Sequence, residues 1–193
     1  NAIMKFKIKK NHFRNLSLIF FLGLFFLLSI NRVAAQSEAL KSAKDDASQT
    51  VSKILELKNL NLTDEEKIDA ELALKKEALE KITSLLILEL KEADSKIRNI
   101  FEIEPEVLVV KDNLLRKMED YSDQLEGILE EIDKNKDIES LNSITDKIIK
   151  LKEENIEEVI KISIDLAILY ENERVIKIAD QRFTKIANLI KKL

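Results

Sequence analysis

From residue 37 onward the apolar positions recur at intervals of three and four, the spacing of one helix face and not the alternation of a strand. Leu40, Ala43, Ala47, Val51 and Ile54 mark the inner stripe of a first helix predicted over 37–58. Its Ser- and Ala-rich start carries little apolar weight and is expected to fray. Residues 59–62 form the first break. Thr63-Asp64-Glu65-Glu66 then reads as a capping box, in which the Thr63 hydroxyl and the Glu66 carboxylate each accept from the other's backbone N–H. The second helix follows to about Phe101, on Ile68, Leu72, Leu79, Ile82, Leu86, Ala93, Ile97 and Ile100. Within it Leu85, Leu86, Ile87 and Leu88 are apolar on more than one face, which predicts contact with two neighbours or with another copy of the chain.

Pro105 suits the first position of a third helix, where its missing N–H costs nothing. The stripe of that helix is Leu108, Leu114, Leu115, Met118, Tyr121, Leu125, Ile128, Leu129 and Ile132. Gly127 lies inside it and is about 1 kcal/mol worse than Ala there. Close approach of a neighbouring helix would explain the glycine, and so would chance. Residues 134–137 make a turn, with Asp137 as the expected N-cap of a fourth helix. Leu141, Ile144, Ile148, Leu151, Val159, Ile162, Leu166 and Leu169 continue that helix, with Asn155 and Asn172 as candidate interruptions. The final stretch has the cleanest seam: Ile176, Ala179, Phe183, Ile186, Ile190 and Leu193 repeat in alternating threes and fours, as in a short coiled coil. Phe101, Tyr121, Tyr170 and Phe183 are expected to pack in the core. Short breaks between long amphipathic helices predict antiparallel neighbours, and hence an all-α, elongated antiparallel bundle of four or five helices. The whole chain has 2 Gly and 1 Pro, too few turn residues for a strand-rich domain.

The first 35 residues have a different pattern. Lys5, Lys7, Lys9, Lys10 and Arg14 precede an apolar run over 16–30, with Gly23 inside it, and Val33-Ala34-Ala35 follow it. A basic start, an apolar middle and small residues at the end describe a secretory signal peptide, with cleavage expected after Ala35. The run is short of the ~20 residues a stable span needs. The alternative is an uncleaved anchor, stretched by Phe13 and Val33. Residues 1–3 precede Met4, the expected start. The predicted organisation is therefore a signal peptide over 1–35 and a single bundle domain over 36–193, exported to the periplasm, the cell envelope or the medium.

Charge divides at the same place. Six of the 32 basic residues, and none of the 36 acidic ones, fall before residue 36, which leaves the remainder with 26 basic residues and a net charge of −10. An acidic surface repels phosphate, so nucleic acid is an unsuitable partner and anionic membranes are disfavoured. The sequence has no Cys, which closes the lipid-modified lipoprotein route and leaves stability to the core alone.

Little chemistry remains. His12, the single histidine, lies in the leader, so the expected mature chain lacks His, Cys and Trp. General acid–base catalysis most often uses His, and triads and zinc sites need His or Cys. No Gly-rich phosphate loop is present. One stretch, Asp133, Asn135, Asp137 and Glu139, spaces oxygen side chains as an EF-hand loop begins. Ile138 then stands in place of the turn glycine and Ile144 in place of the closing glutamate, so an interhelix turn is the better reading. No catalytic residue, cofactor, metal site or small-molecule substrate is expected.

The segment 151–186, LKEENIEEVIKISIDLAILYENERVIKIADQRFTKI, resembles the C-terminal block of uncharacterised exported helical proteins of small-genome bacteria, and the Ile/Lys/Asn-heavy usage is similar to that of AT-rich genomes. The resemblance implies a bacterial, exported, all-helical protein and carries no catalytic motif. The expectation is a non-enzymatic envelope or secreted protein, structural or partner-binding, that works through helix–helix contacts. Leu85, Leu86, Ile87, Leu88, Ile176, Phe183 and Ile190 are the candidate residues for a protein partner or for self-association. A membrane enters only if the leader is kept, and a periplasmic holdase-type chaperone is the alternative.

Overall fold

The computed structural model describes residues 37–57, 63–101 and 103–190, with the side chains of 187–190 excluded. The predicted leader, the break at 59–62, the side chain of Ile190 and all of Leu193 lie outside the described residues. Every regular element among the described residues is helical. These are α1 (Glu38–Glu56), α2 (Asp64–Arg98), α3 (Pro105–Lys134), α4 (Ile138–Leu151) and α5 (Glu157–Ile190), with a π-helical turn Lys152–Ile156 between the last two.

Local chemistry fixes the helix ends. The Ser37 hydroxyl accepts from the Leu40 amide at 3.2 Å and caps α1. At the start of α2 the Thr63 amide donates to Glu66 Oε2 at 2.9 Å, and the Glu66 amide donates to Thr63 Oγ1 at 3.3 Å. This is the predicted capping box. Pro105 opens α3. Asp137 opens α4, accepting from the Ser140 amide and hydroxyl at 2.7 Å each. Lys111 Nζ donates to the carbonyls of Arg98 and Ile100 at 3.2 and 3.0 Å, satisfying acceptors that the end of α2 leaves open.

The π turn has a cause in the spacing. Buried apolar positions run Leu141, Ile144, Ile148 and Leu151, then skip five to Ile156 and resume at Val159, with Lys152 also buried inside the turn. A regular α-helix would bring Asn155 inward in place of Ile156. One wider turn absorbs the additional residue and returns the apolar stripe to the core. The backbone stays right-handed at Lys152, with φ −63° and ψ −55°, so α4, the π turn and α5 form one continuous rod. Asn155, a predicted interruption, lies inside this turn and accepts from the Tyr121 hydroxyl at 3.3 Å. Asn172 interrupts nothing.

Cross-helix bonds give the directions. The Ser37 amide reaches Glu92 and Thr50 reaches Glu77, so α1 runs against α2. Lys76 donates to the Asp133 carbonyl while Lys111 reaches the end of α2, so α3 also runs against α2. Lys147 pairs with Glu131 and the Tyr170 hydroxyl donates to Glu104, so the rod runs against α3. Leu79, Ile82, Leu86, Leu90 and Ile97 of α2 are at the centre, packed among Met118, Leu125 and Ile132 of α3 and Leu141, Ile148 and Ile156 of the rod. Each such side chain contributes about 1.5–3 kcal/mol by leaving water. Buried Thr83, Thr145 and Ser163 donate to the carbonyls four residues back, at 2.7–2.8 Å, so their hydroxyls cost the core little.

Several expected inner positions face outward instead. Ile68, Leu108, Ile162 and Leu169 are exposed, on sides of their helices turned away from the core while neighbouring residues in the same turns are at least partly covered. Phe101, expected in the core, is 73% exposed at the α2–α3 corner. Phe183, also expected in the core, is 78% exposed. A Cβ built on Gly127 meets no atom within 4 Å, so close helix approach is not the reason for that glycine.

Candidate functional site

The rod is longer than its neighbours. Tyr170, whose hydroxyl donates to Glu104 Oε2 at 2.9 Å, is the last half-covered residue among its described side chains. Every side chain described from Glu171 to Ile186 is exposed. The helix itself continues to Ile190, so an arm of about 30 Å projects past the α2–α3 corner. Val175, Ile176, Ile178, Phe183 and Ile186 are bare on it. At 100° per residue they and Ala179 occupy an arc of roughly 160°. Glu173, Arg174, Lys177, Asp180, Gln181, Thr184 and Lys185 fill the opposite arc, and Arg182 lies within the apolar one, as do Glu171 and Asn172 of the arm's first turn.

The predicted contact residues thus separate. Ile176 and Phe183 share one face of the arm. Leu85, Leu86 and Ile87 are buried, and Leu88 is half-buried, so that run presents no open surface. It packs on more than one side, as its all-round apolarity requires.

A second group surrounds the π turn. Lys152 is 1% exposed, and its Nζ lies 3.4 Å from Glu157 Oε1. Glu89 on α2 is also buried, and its Oε2 has no hydrogen-bond partner. Burial pushes its carboxyl from the ordinary 4.5 up to about 7, against the opposing pull of Lys152 and Lys44 and with a further push from Glu157 and Glu92. Asn142 Oδ1 is the other buried acceptor without a partner among the described residues. Lys75, 1% exposed, pairs with Glu71 at 2.9 Å. Nothing in the apolar pattern signals these buried charges. The skip of five between Leu151 and Ile156 is the one sequence trace of the π turn.

The stretch that resembles the start of a calcium loop is a turn. Asp137 is engaged in capping α4, the Asp133 carbonyl accepts from Lys76 at 3.0 Å, and Lys134 pairs with Glu130 at 3.0 Å. An open cleft beside it is lined by Glu131, Lys134, Lys136, Asp137, Ser140 and Lys147, with two carboxylates among three lysines. Among the described residues no three His, Cys, Asp or Glu side chains come together as a metal site. No described helix is long and apolar enough to cross a membrane. No family model matches the chain, and neither does any curated protein or solved structure.

Proposed function

We propose that this chain is a non-enzymatic, exported helical-bundle protein, released from a signal peptide, that acts in the cell envelope or outside the cell by docking its projecting arm. The bundle serves as the rigid mount and the arm as the working surface. The observation that carries this reading is the run of large apolar side chains left bare beyond Tyr170, with Phe183 78% and Ile176 61% exposed. A contiguous apolar patch with polar margins is a mark of an interaction site, whereas single exposed apolar residues need no explanation. The helix–helix contact expected from the three-four spacing is one form such docking takes. The chemistry supports the same reading: the side chains beyond residue 35 include no His and no Cys.

A photo-crosslinking amino acid at position 183, compared with one at Asp123 on the exposed side of α3, tests the proposal in expressing cells. Adducts are expected from the arm and not from α3. Equal yields from the two positions would overturn it. The same bare side chains would suit a periplasmic holdase-type chaperone, which predicts that excess protein suppresses the turbidity of a reduced, aggregating client.

A further inference from the structure

We infer that the arm docks on an anionic lipid bilayer, lying in its interface with the apolar arc toward the acyl chains. This rests on the docking role proposed above and names the surface that receives it. From residue 171 to the end the sequence carries six basic residues and three acidic, a net charge of +3. The rest of the chain after residue 35 carries 20 basic and 33 acidic residues, a net charge of −13. The acidity that turns the bundle away from anionic surfaces is therefore reversed on the arm. Among its described residues Arg174, Lys177 and Lys185 lie opposite the apolar arc, while Glu171 and Glu173 stay at the junction with the bundle. An apolar face bearing a large aromatic, backed by a Lys/Arg-rich face, is the composition of an interfacial helix.

The width of the apolar arc separates a bilayer from a second copy. Ile176, Ala179, Phe183 and Ile186 fill the seam of a two-stranded coil, and Ile178 falls outside it. A two-stranded coil would leave Ile178 in water, whereas a bilayer covers the full arc of roughly 160°. Arg182, within the arc, has a stem long enough to carry its guanidinium back to the headgroups.

The Ser37 amide donates to Glu92, near the end of α2, so the start of α1 is at the end from which the arm projects. Phe101, 73% exposed, is at this end also.

The test is cosedimentation of the chain beginning at Gln36, whose described core lies wholly within 37–190, with sucrose-loaded vesicles. Binding is expected to phosphatidylglycerol-containing vesicles, to weaken with added salt, and to be absent with phosphatidylcholine alone. Replacing Lys177 and Lys185 by Gln should weaken partitioning roughly thirtyfold. Phe183→Asp with Ile176→Asp should abolish it. Both side-chain sets are exposed, so circular dichroism should show an unchanged melting curve. No binding to anionic vesicles, or equal and salt-insensitive binding to neutral ones, would overturn the inference. An arm-dependent dimer that ignores vesicles would also overturn it, while leaving the docking role intact. Arm crosslinks to neither lipid nor protein would remove both.

Discussion

Replacing Glu89 by Gln should make the bundle more stable at neutral pH and hardly change it in acid. The reason is the site on α2 opposite the π turn, where the carboxyl is buried and one oxygen lacks a partner. Burial raises its pKa from 4.5 to about 7. Between those two values the native chain holds a proton that the unfolded chain has released. Stability is therefore fully present below pH 4.5 and is lost as the pH rises through about 7. At about 1.4 kcal/mol per unit, the raised pKa corresponds to about 3 kcal/mol. That is a large part of the 5–15 kcal/mol that a typical domain has in total. Gln keeps the shape of the protonated side chain and cannot ionise. Urea unfolding of both proteins at intervals from pH 4.5 to 8 reads the effect as a midpoint change at constant slope. The gap between variant and parent should open from near zero to about 3 kcal/mol in favour of Gln. Parallel curves across the range would refute the buried-carboxylate reasoning.

Three other substitutions test the packing and the caps. Gly127→Ala should stabilise α3 by about 0.5–1 kcal/mol, seen as a higher melting temperature, because the added Cβ meets open space. Leu86→Ala should cost about 2–5 kcal/mol in urea unfolding, since a central α2 side chain leaves a cavity. Asp137→Ala should lower the melting temperature at pH 7. Its deficit should fade as the pH falls, because the Ser140 amide and hydroxyl hold the Asp137 carboxyl below the usual range and protonation weakens the cap.

Features written in neighbouring residues were legible in the sequence. The Thr63–Glu66 box, Pro105 at the head of α3 and Asp137 at the head of α4 each depend on contacts within one turn, so their chemistry is visible without a fold. The main stripes were legible for the same reason. Periodicity shows that a face is apolar but not what covers it. Leu85–Ile87 and Ile176–Phe183 have the same outward signal in sequence, yet the first is enclosed by neighbouring helices and the second is bare. Which one is covered depends on where the partner helices stop, and that is set by the relative lengths of α2, α3 and the rod. The buried charges Glu89, Lys75 and Lys152 were illegible, because burial reaches them from other elements. The local basicity of the arm was readable, but averaging over an acidic chain concealed it.

The chain divides at Tyr170 into a packed bundle and a helical arm whose apolar face no described residue covers. Hydrogen exchange followed by mass spectrometry, at concentrations where light scattering reports single chains, tests this division directly. Amides in 79–97 should exchange only through global opening, and those in 171–186 should exchange orders of magnitude faster, because every described side chain there is exposed. Equal protection of the two segments would contradict the account.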